Sequence, residues 1–120
     1  MRIKTFQDIY TWKKGYKLTL KIYEATKNFP KSEAFGLKSQ LRRAAVSCIS
    51  NIAEGFKRLG AKDSLHFYNY SQASLEEIKC QAMPARDLNY FDQPNWEAIE
   101  QLADEAGKTL HGWIKSQKYL

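Results

Sequence analysis

The segment from Gln40 to Arg58, QLRRAAVSCISNIAEGFKR, constrains this chain more than any other. It contains no proline, and its one glycine, Gly55, lies near its end. Set on a helix at about 100° per residue, Leu37, Leu41, Ala44, Cys48, Ile52, Gly55 and Leu59 fall on one narrow apolar seam. Ala45, Val46, Ile49 and Ala53 form a second apolar patch, rotated well away from the first. A polar column runs along the far side of the seam: Gln40, Arg43, Ser47, Asn51, Glu54 and Arg58. A surface helix needs one apolar face, and this one has two. It is therefore the central helix of its own domain, or its second face meets another subunit.

A chain of 120 residues has the size of one domain and can bury a core. Its apolar content of 43%, with three Trp, seven Tyr and six Phe, places it among chains that fold. The N-terminus, MRIKTFQDIY, lacks the apolar stretch of a signal peptide. No apolar run approaches the roughly 18–20 residues that cross a bilayer. Cys48 and Cys80 are isolated thiols inside helical patterns, without a CxxC pair, so they read as reduced cysteines of a cytoplasmic protein. The net charge of +6 is unevenly distributed. Residues 1–60 carry 13 Lys and Arg against 4 Asp and Glu, a net of +9; residues 61–120 carry 6 against 9, a net of −3. Such asymmetry marks a polyanion-binding half, two halves that attract each other within the fold, or both.

Four amphipathic helices account for almost the whole chain, at about 6–28, 37–59, 63–90 and 94–117. The first starts after Thr5, which forms a capping-box-like pair with Asp8, and Phe29-Pro30 stops it. Trp12, Tyr16, Thr19 and Tyr23 align along it beside Leu18, Ile22 and Ala25, and this side is expected to face the core. Lys13, Lys14, Lys17 and Lys21 form a stripe opposite. Gly60 is expected to close the second helix as its C′ residue, and Asp63 to cap the third. The third helix has a thin seam of Phe67, Ser71, Ser74, Ile78, Ala82 and Ala85, with Leu75 adjoining and a kink expected at Pro84. Pro94 and Glu97 suit the first turn of the fourth helix. Its outer face carries Glu97, Glu100, Asp104 and Glu105, which the lysines of the first helix can partly neutralise. Short connectors favour antiparallel neighbours, giving an all-α fold: one up-down-up-down four-helix bundle spanning 1–120.

Catalytic constellations are absent from the sequence. His66 and His111 stand on different helices with no carboxylate or cysteine at metal-ligand spacing, so no metal site is expected. Gly55 and Gly60 are isolated and no GK[ST] follows, which excludes a phosphate loop. Glu76-Glu77 lacks the Glu-x-x-His motifs of a di-iron bundle. The expectation is a protein without enzymatic activity and without a cofactor.

Two features remain as candidate sites. The polar column Gln40, Arg43, Ser47, Asn51, Glu54 and Arg58 flanks the seam and is expected to be at least half buried, as a structural network or a subunit interface. A buried Arg43 requires a carboxylate or several acceptors, with Glu77 and Asp87 as candidates from the same or a neighbouring chain. Lys13, Lys14, Lys17 and Lys21 are the candidate nucleic-acid contacts, because cations repeating every four residues track a phosphate backbone. A solvated basic face is the alternative. No helix-turn-helix, zinc finger or RNP motif is present, so any such binding is largely independent of sequence.

The chain also resembles a known family. Phe6 to Trp12, Ile22-Tyr23, Phe29-Pro30 and Phe35-Gly36-Leu37 carry the resemblance in the first third. Gln40-Leu41-Arg42-Arg43-Ala44-Ala45-Val46-Ser47 and Ser50-Asn51-Ile52-Ala53-Glu54-Gly55 carry its most specific part. Ser74-Leu75, Glu77, Ala85-Arg86-Asp87-Leu88 and Tyr90 continue it. These blocks are similar to the small four-helix-bundle proteins encoded in intervening sequences of bacterial large-subunit ribosomal RNA genes, distant relatives of the accessory protein of diversity-generating retroelements. The chain departs where Ile49 replaces a frequent proline and Ala73 a small glycine. The resemblance implies a homopentameric ring with a nucleic-acid role, RNA or DNA, and no known catalysis. Five copies would carry roughly +30. A scaffold or protein-partner module, such as an accessory protein to a reverse transcriptase, is the alternative it implies.

Overall fold

The computed structural model describes residues 2–117. Their secondary structure is helical throughout: α1 (Tyr10–Ala25), α2 (Leu37–Lys57), α3 (Ala61–Asp87) and α4 (Gln93–Gln117), with 3-10 turns at Phe6–Asp8 and Lys31–Glu33. Pairs between neighbouring helices climb on one as they descend on the other. Lys14 meets Glu105 where Thr11 meets Thr109; Thr19 meets Ala45 where Gly15 meets Ile49. Ser47 meets Ser74 and Gly55 meets Tyr68, while Lys79 meets Asp104 and Arg86 meets Trp96. Every neighbouring pair is therefore antiparallel, and α1 and α4 close the bundle, which measures 45 × 24 × 20 Å.

The helix ends differ from the sequence expectation for local reasons. Asp8 Oδ2 accepts the N–H groups of Lys4 and Thr5 at 2.9 and 3.0 Å, which holds its carboxyl below the usual carboxylate range. The turn so capped is the 3-10 turn, not α1. Ile9 follows in extended conformation (φ −78°, ψ 122°) and is buried beside Ile52 and Leu110, so α1 starts only at Tyr10. It ends at Ala25, where the Thr26 hydroxyl turns back to donate to the Ile22 carbonyl at 2.8 Å. Gly60 is not left-handed: at φ −110°, ψ 142° it caps α3, and Asp63 sits inside the first turn. Leu59 falls beyond the end of α2 and is fully exposed instead of extending the seam. α3 runs on through Pro84, and Asn89 at φ 62° makes the left-handed turn after it. Asp92 caps α4 by accepting the Asn95 N–H at 2.9 Å.

The two apolar faces of α2 find partners within the chain. Leu41, Ala44, Cys48 and Ile52 face the interior, and Ala45 and Ile49 turn toward α1. Gly15 permits that approach, since a Cβ there would lie 2.9 Å from Ile49 Cγ2. α2 is thus the central helix, and of the second patch Val46 stays exposed and Ala53 half-buried. On α3 the core aromatic is Tyr68, with Phe67 and Ser74 only half-buried. Tyr68 lies directly over Gly55, whose missing side chain leaves the room. Ser71 Oγ donates to the Cys48 carbonyl at 2.6 Å and so ties α3 to α2 without a large side chain. Leu18, Ile22, Leu41, Ile52, Ile78, Ile99 and Leu110 are inaccessible to solvent. Each such residue contributes about 1.5–3 kcal/mol of burial, which outweighs differences in helix propensity.

Candidate nucleic-acid interface

Thr11, Gly15, Leu18, Thr19, Ile22 and Ala25 occupy the inner arc of α1. Small residues at 11, 15 and 19 let α1 seat close against its neighbours, and this fixes its rotation. Tyr16 and Tyr23, expected toward the core, are consequently 44% and 39% exposed, and Trp12 is half-buried. The outer arc presents Lys13, Tyr16, Lys17, Leu20 and Tyr23. Tyr16 stacks on Trp12 with centroids 5.0 Å apart and planes 11° apart. The Arg42 guanidinium lies 4.5 Å over the Tyr23 ring while donating to the Tyr23 carbonyl at 3.1 Å and, through Nε, to Thr26 Oγ1 at 2.9 Å.

The four lysines of the stripe divide into two kinds. Lys14 Nζ meets Glu105 at 3.2 Å. That hydrogen bond holds the Glu105 carboxyl below the usual range and raises the Lys14 ammonium. Lys21 pairs with Glu24 at 3.5 Å, one turn along α1. Lys13 and Lys17 are exposed and make no ion pair among the described residues. The stripe therefore borders α4 on one edge and leaves its free charge on the outer edge.

The polar column also divides. Gln40, Ser47 and Asn51 are half-buried. Ser47 Oγ and Ser74 Oγ lie 2.9 Å apart, and Asn51 Nδ2 donates to the Ser47 carbonyl at 2.8 Å. Arg43, Glu54 and Arg58 are exposed in the single chain, against the expectation of half burial. Arg58 bonds Glu54 at 3.1 Å, approaches Asp63 at 3.8 Å and covers the Phe67 ring at 4.2 Å. Arg43 meets neither candidate acid: Glu77 is exposed on α3, and Asp87 is held by Arg86 at 2.7 Å. The geometric reason is rotation, since the side of α2 that meets α3 runs through Ser47 and Asn51 and Arg43 lies outward of it.

Elsewhere the surface offers less chemistry. A groove of about 470 Å³ between α3 and α4 is lined by His111, Glu76 and Lys108, and the Lys79–Asp104 pair at 3.5 Å lies within it. Its charges are mixed and mutually compensating. Among the described residues, no three His, Cys, Asp or Glu side chains converge as metal ligands, and no helix is long and apolar enough to cross a membrane. Burial pushes the Cys48 thiol above its ordinary value, while Cys80 is exposed.

The sequence profile of the 23S rRNA-intervening sequence protein family matches residues 7–112. The chain belongs to that family. A protein of unknown function from the S23 ribosomal protein family of Bacteroides thetaiotaomicron, known from a crystal structure, superposes with a TM-score of 0.77 at 20% identity. The match covers 88% of this chain and 98% of that one, and at this identity it establishes a shared fold. No curated protein matches the chain. In this intervening-sequence protein the two most specific sequence blocks now have physical roles. Arg42 of the double arginine pins the end of α1 through Tyr23 and Thr26, and the glycine of SNIAEG opens the hollow for Tyr68. Neither role was readable from helical spacing, because each depends on what the facing helix presents.

Proposed function

We propose that this intervening-sequence protein is a non-enzymatic, cytoplasmic oligomer that associates with RNA or DNA through charge, with little sequence preference. The observation that carries the reading is the pair Lys13 and Lys17, exposed on the outer arc of α1 and without an ion pair among the described residues, in a half-chain of net charge +9. Cations already held by acidic neighbours, such as Lys14 and Arg58, release little on meeting a phosphate; free ones displace condensed counterions from it. A ring of five copies, as the family resemblance implies, would multiply that field. The outward side of α2, with Arg43, Val46 and Glu54, supplies the subunit boundary, and Glu77 of the next copy is the acid assigned to Arg43.

The test is a Lys13→Glu/Lys17→Glu variant. It should lose binding to generic RNA at low salt while keeping the helical circular dichroism and the oligomeric mass of the wild type. A wild type that shifts neither RNA nor DNA at about 50 mM salt refutes the reading. The scaffold or protein-partner reading, favoured by the exposed apolar Leu20, Val46 and Met83, would then stand first.

A further inference from the structure

Phe35 is 95% exposed at the corner between the Lys31–Glu33 turn and α2, yet this corner is rigidly built. Glu33 Oε1 accepts the Leu37 N–H at 3.0 Å, and Tyr90 donates its hydroxyl to Glu33 Oε2 at 3.1 Å. Behind it, Phe29 is buried against Tyr90 and Phe91, with centroids 5.4 and 5.0 Å away. Phe35 itself stacks on no other ring and carries no cation, so both of its faces are open, among the described residues.

We propose that the polyanion is single-stranded nucleic acid and that one of its bases stacks on Phe35; this rests on the nucleic-acid reading above. Lys27, Lys31 and Lys38 surround Phe35 in the chain and make no ion pair among the described residues. Of the acids at this end, Glu33 already has Leu37 and Tyr90 as donors, and Asp92 accepts the Asn95 N–H. Lys27 is exposed in the turn just past the C-terminal end of α1, so a strand tracked by Lys13 and Lys17 along α1 arrives at this end of the bundle. Bases of a single strand present free π-faces, whereas those inside a duplex are already stacked, so an exposed ring selects the single strand. The other exposed rings are each partly occupied: Tyr16 by Trp12, Tyr23 by the Arg42 guanidinium, Tyr10 by the Lys14 ammonium and Tyr70 by an edge contact with Phe67. Leu59, equally exposed at the opposite end, has no π-face, and the neighbouring Arg58 is held by Glu54 and Asp63.

The experiment measures fluorescence anisotropy of a labelled uridine oligonucleotide of roughly 16 nucleotides, and of an RNA duplex of the same length, against the whole protein. The wild type should bind the single strand more tightly than the duplex. Phe35→Ala should weaken single-strand binding about ten-fold, leave duplex binding unchanged, and leave the salt slope unchanged because no phosphate contact is lost. Phe35→Trp should restore the affinity. Because the side chain touches little, an unchanged melting temperature and mass confirm that the fold is intact. Single-strand binding by Phe35→Ala equal to wild type, or tighter duplex binding by the wild type, overturns the inference while leaving the electrostatic reading in place. A fall in oligomeric mass on Phe35→Ala makes the ring a subunit contact and also overturns it. A wild type that binds neither probe at about 50 mM salt overturns this inference, and one that also binds no DNA overturns both readings.

Discussion

Gly55→Ala probes a close approach of α3 to α2. A Cβ at Gly55 would lie 2.5 Å from Tyr68 Cε1, 2.8 Å from Cδ1 and 3.0 Å from the Ser64 carbonyl oxygen. Alanine gains about 1 kcal/mol over glycine in a helix interior, so the substitution stabilises wherever space allows. Here the space is absent. Tyr68 is 2% exposed with its ring edge on Trp113, and the Ser64 oxygen belongs to the backbone, so neither can swing aside. Overpacking of this kind costs about 1–3 kcal/mol, and three simultaneous short contacts place it in the upper part of that range. The expected net loss is about 1–2 kcal/mol, a melting temperature lower by roughly 3–8 °C. Thermal denaturation followed by circular dichroism reads it directly. In a Tyr68→Leu background the same change should cost nothing or stabilise, a coupling of at least about 1 kcal/mol. Gly112→Ala, with open space around it, is the matched control and should raise stability. A Gly55→Ala protein as stable as wild type would refute the reasoning.

Arg43→Ala should leave the protomer within about 0.5 kcal/mol of wild type, because the side chain is exposed, while the oligomeric mass by light scattering falls. The Glu105 carboxyl is lowered chiefly by the Lys14 hydrogen bond, so its contribution is present above the ordinary glutamate range and disappears as pH falls through the lowered one. Glu105→Gln should therefore flatten the acid limb of melting temperature against pH and leave the neutral region nearly unchanged, since the pair is on the surface. Cys80 should react promptly with a thiol reagent, whereas Cys48, buried with a raised thiol pKa, should react only on unfolding.

Helix identity was legible because the periodicities are strong: Leu41, Ala44, Cys48, Ile52 and Gly55 are buried as the seam of α2 requires. The rotation of α1 was not. Tyr16 and Tyr23 count as apolar in a periodicity reading, but an aromatic with a hydroxyl is stable half exposed, and the close-packing side went to Thr11, Gly15 and Thr19. Phe67 and Tyr68 are neighbours on α3, and only the hollow at Gly55 decides between them. Leu59 left the seam because α2 ends at Lys57, at the extended Arg58, whereas the stop signal in the sequence, Gly60, lies two residues later and caps α3 instead. Within the candidate site, the lysine stripe was legible as a pattern. Which of its members are free was not, because Glu105 reaches Lys14 from α4, 91 residues away. Phe35 stood in the sequence only as part of a block; its exposure follows from the Glu33–Leu37 cap that turns the chain beside it.

The central claim, that free lysines of α1 drive nucleic-acid association, is tested most directly by the salt dependence of binding. The logarithm of the association constant for a single-stranded RNA should fall linearly with the logarithm of salt concentration, by about 0.7 per phosphate neutralised. For Lys13→Gln/Lys17→Gln the slope should be shallower by at least about 1.4, because two counterion-releasing contacts are gone. A slope identical to that of the wild type, or an affinity indifferent to salt, would contradict the account.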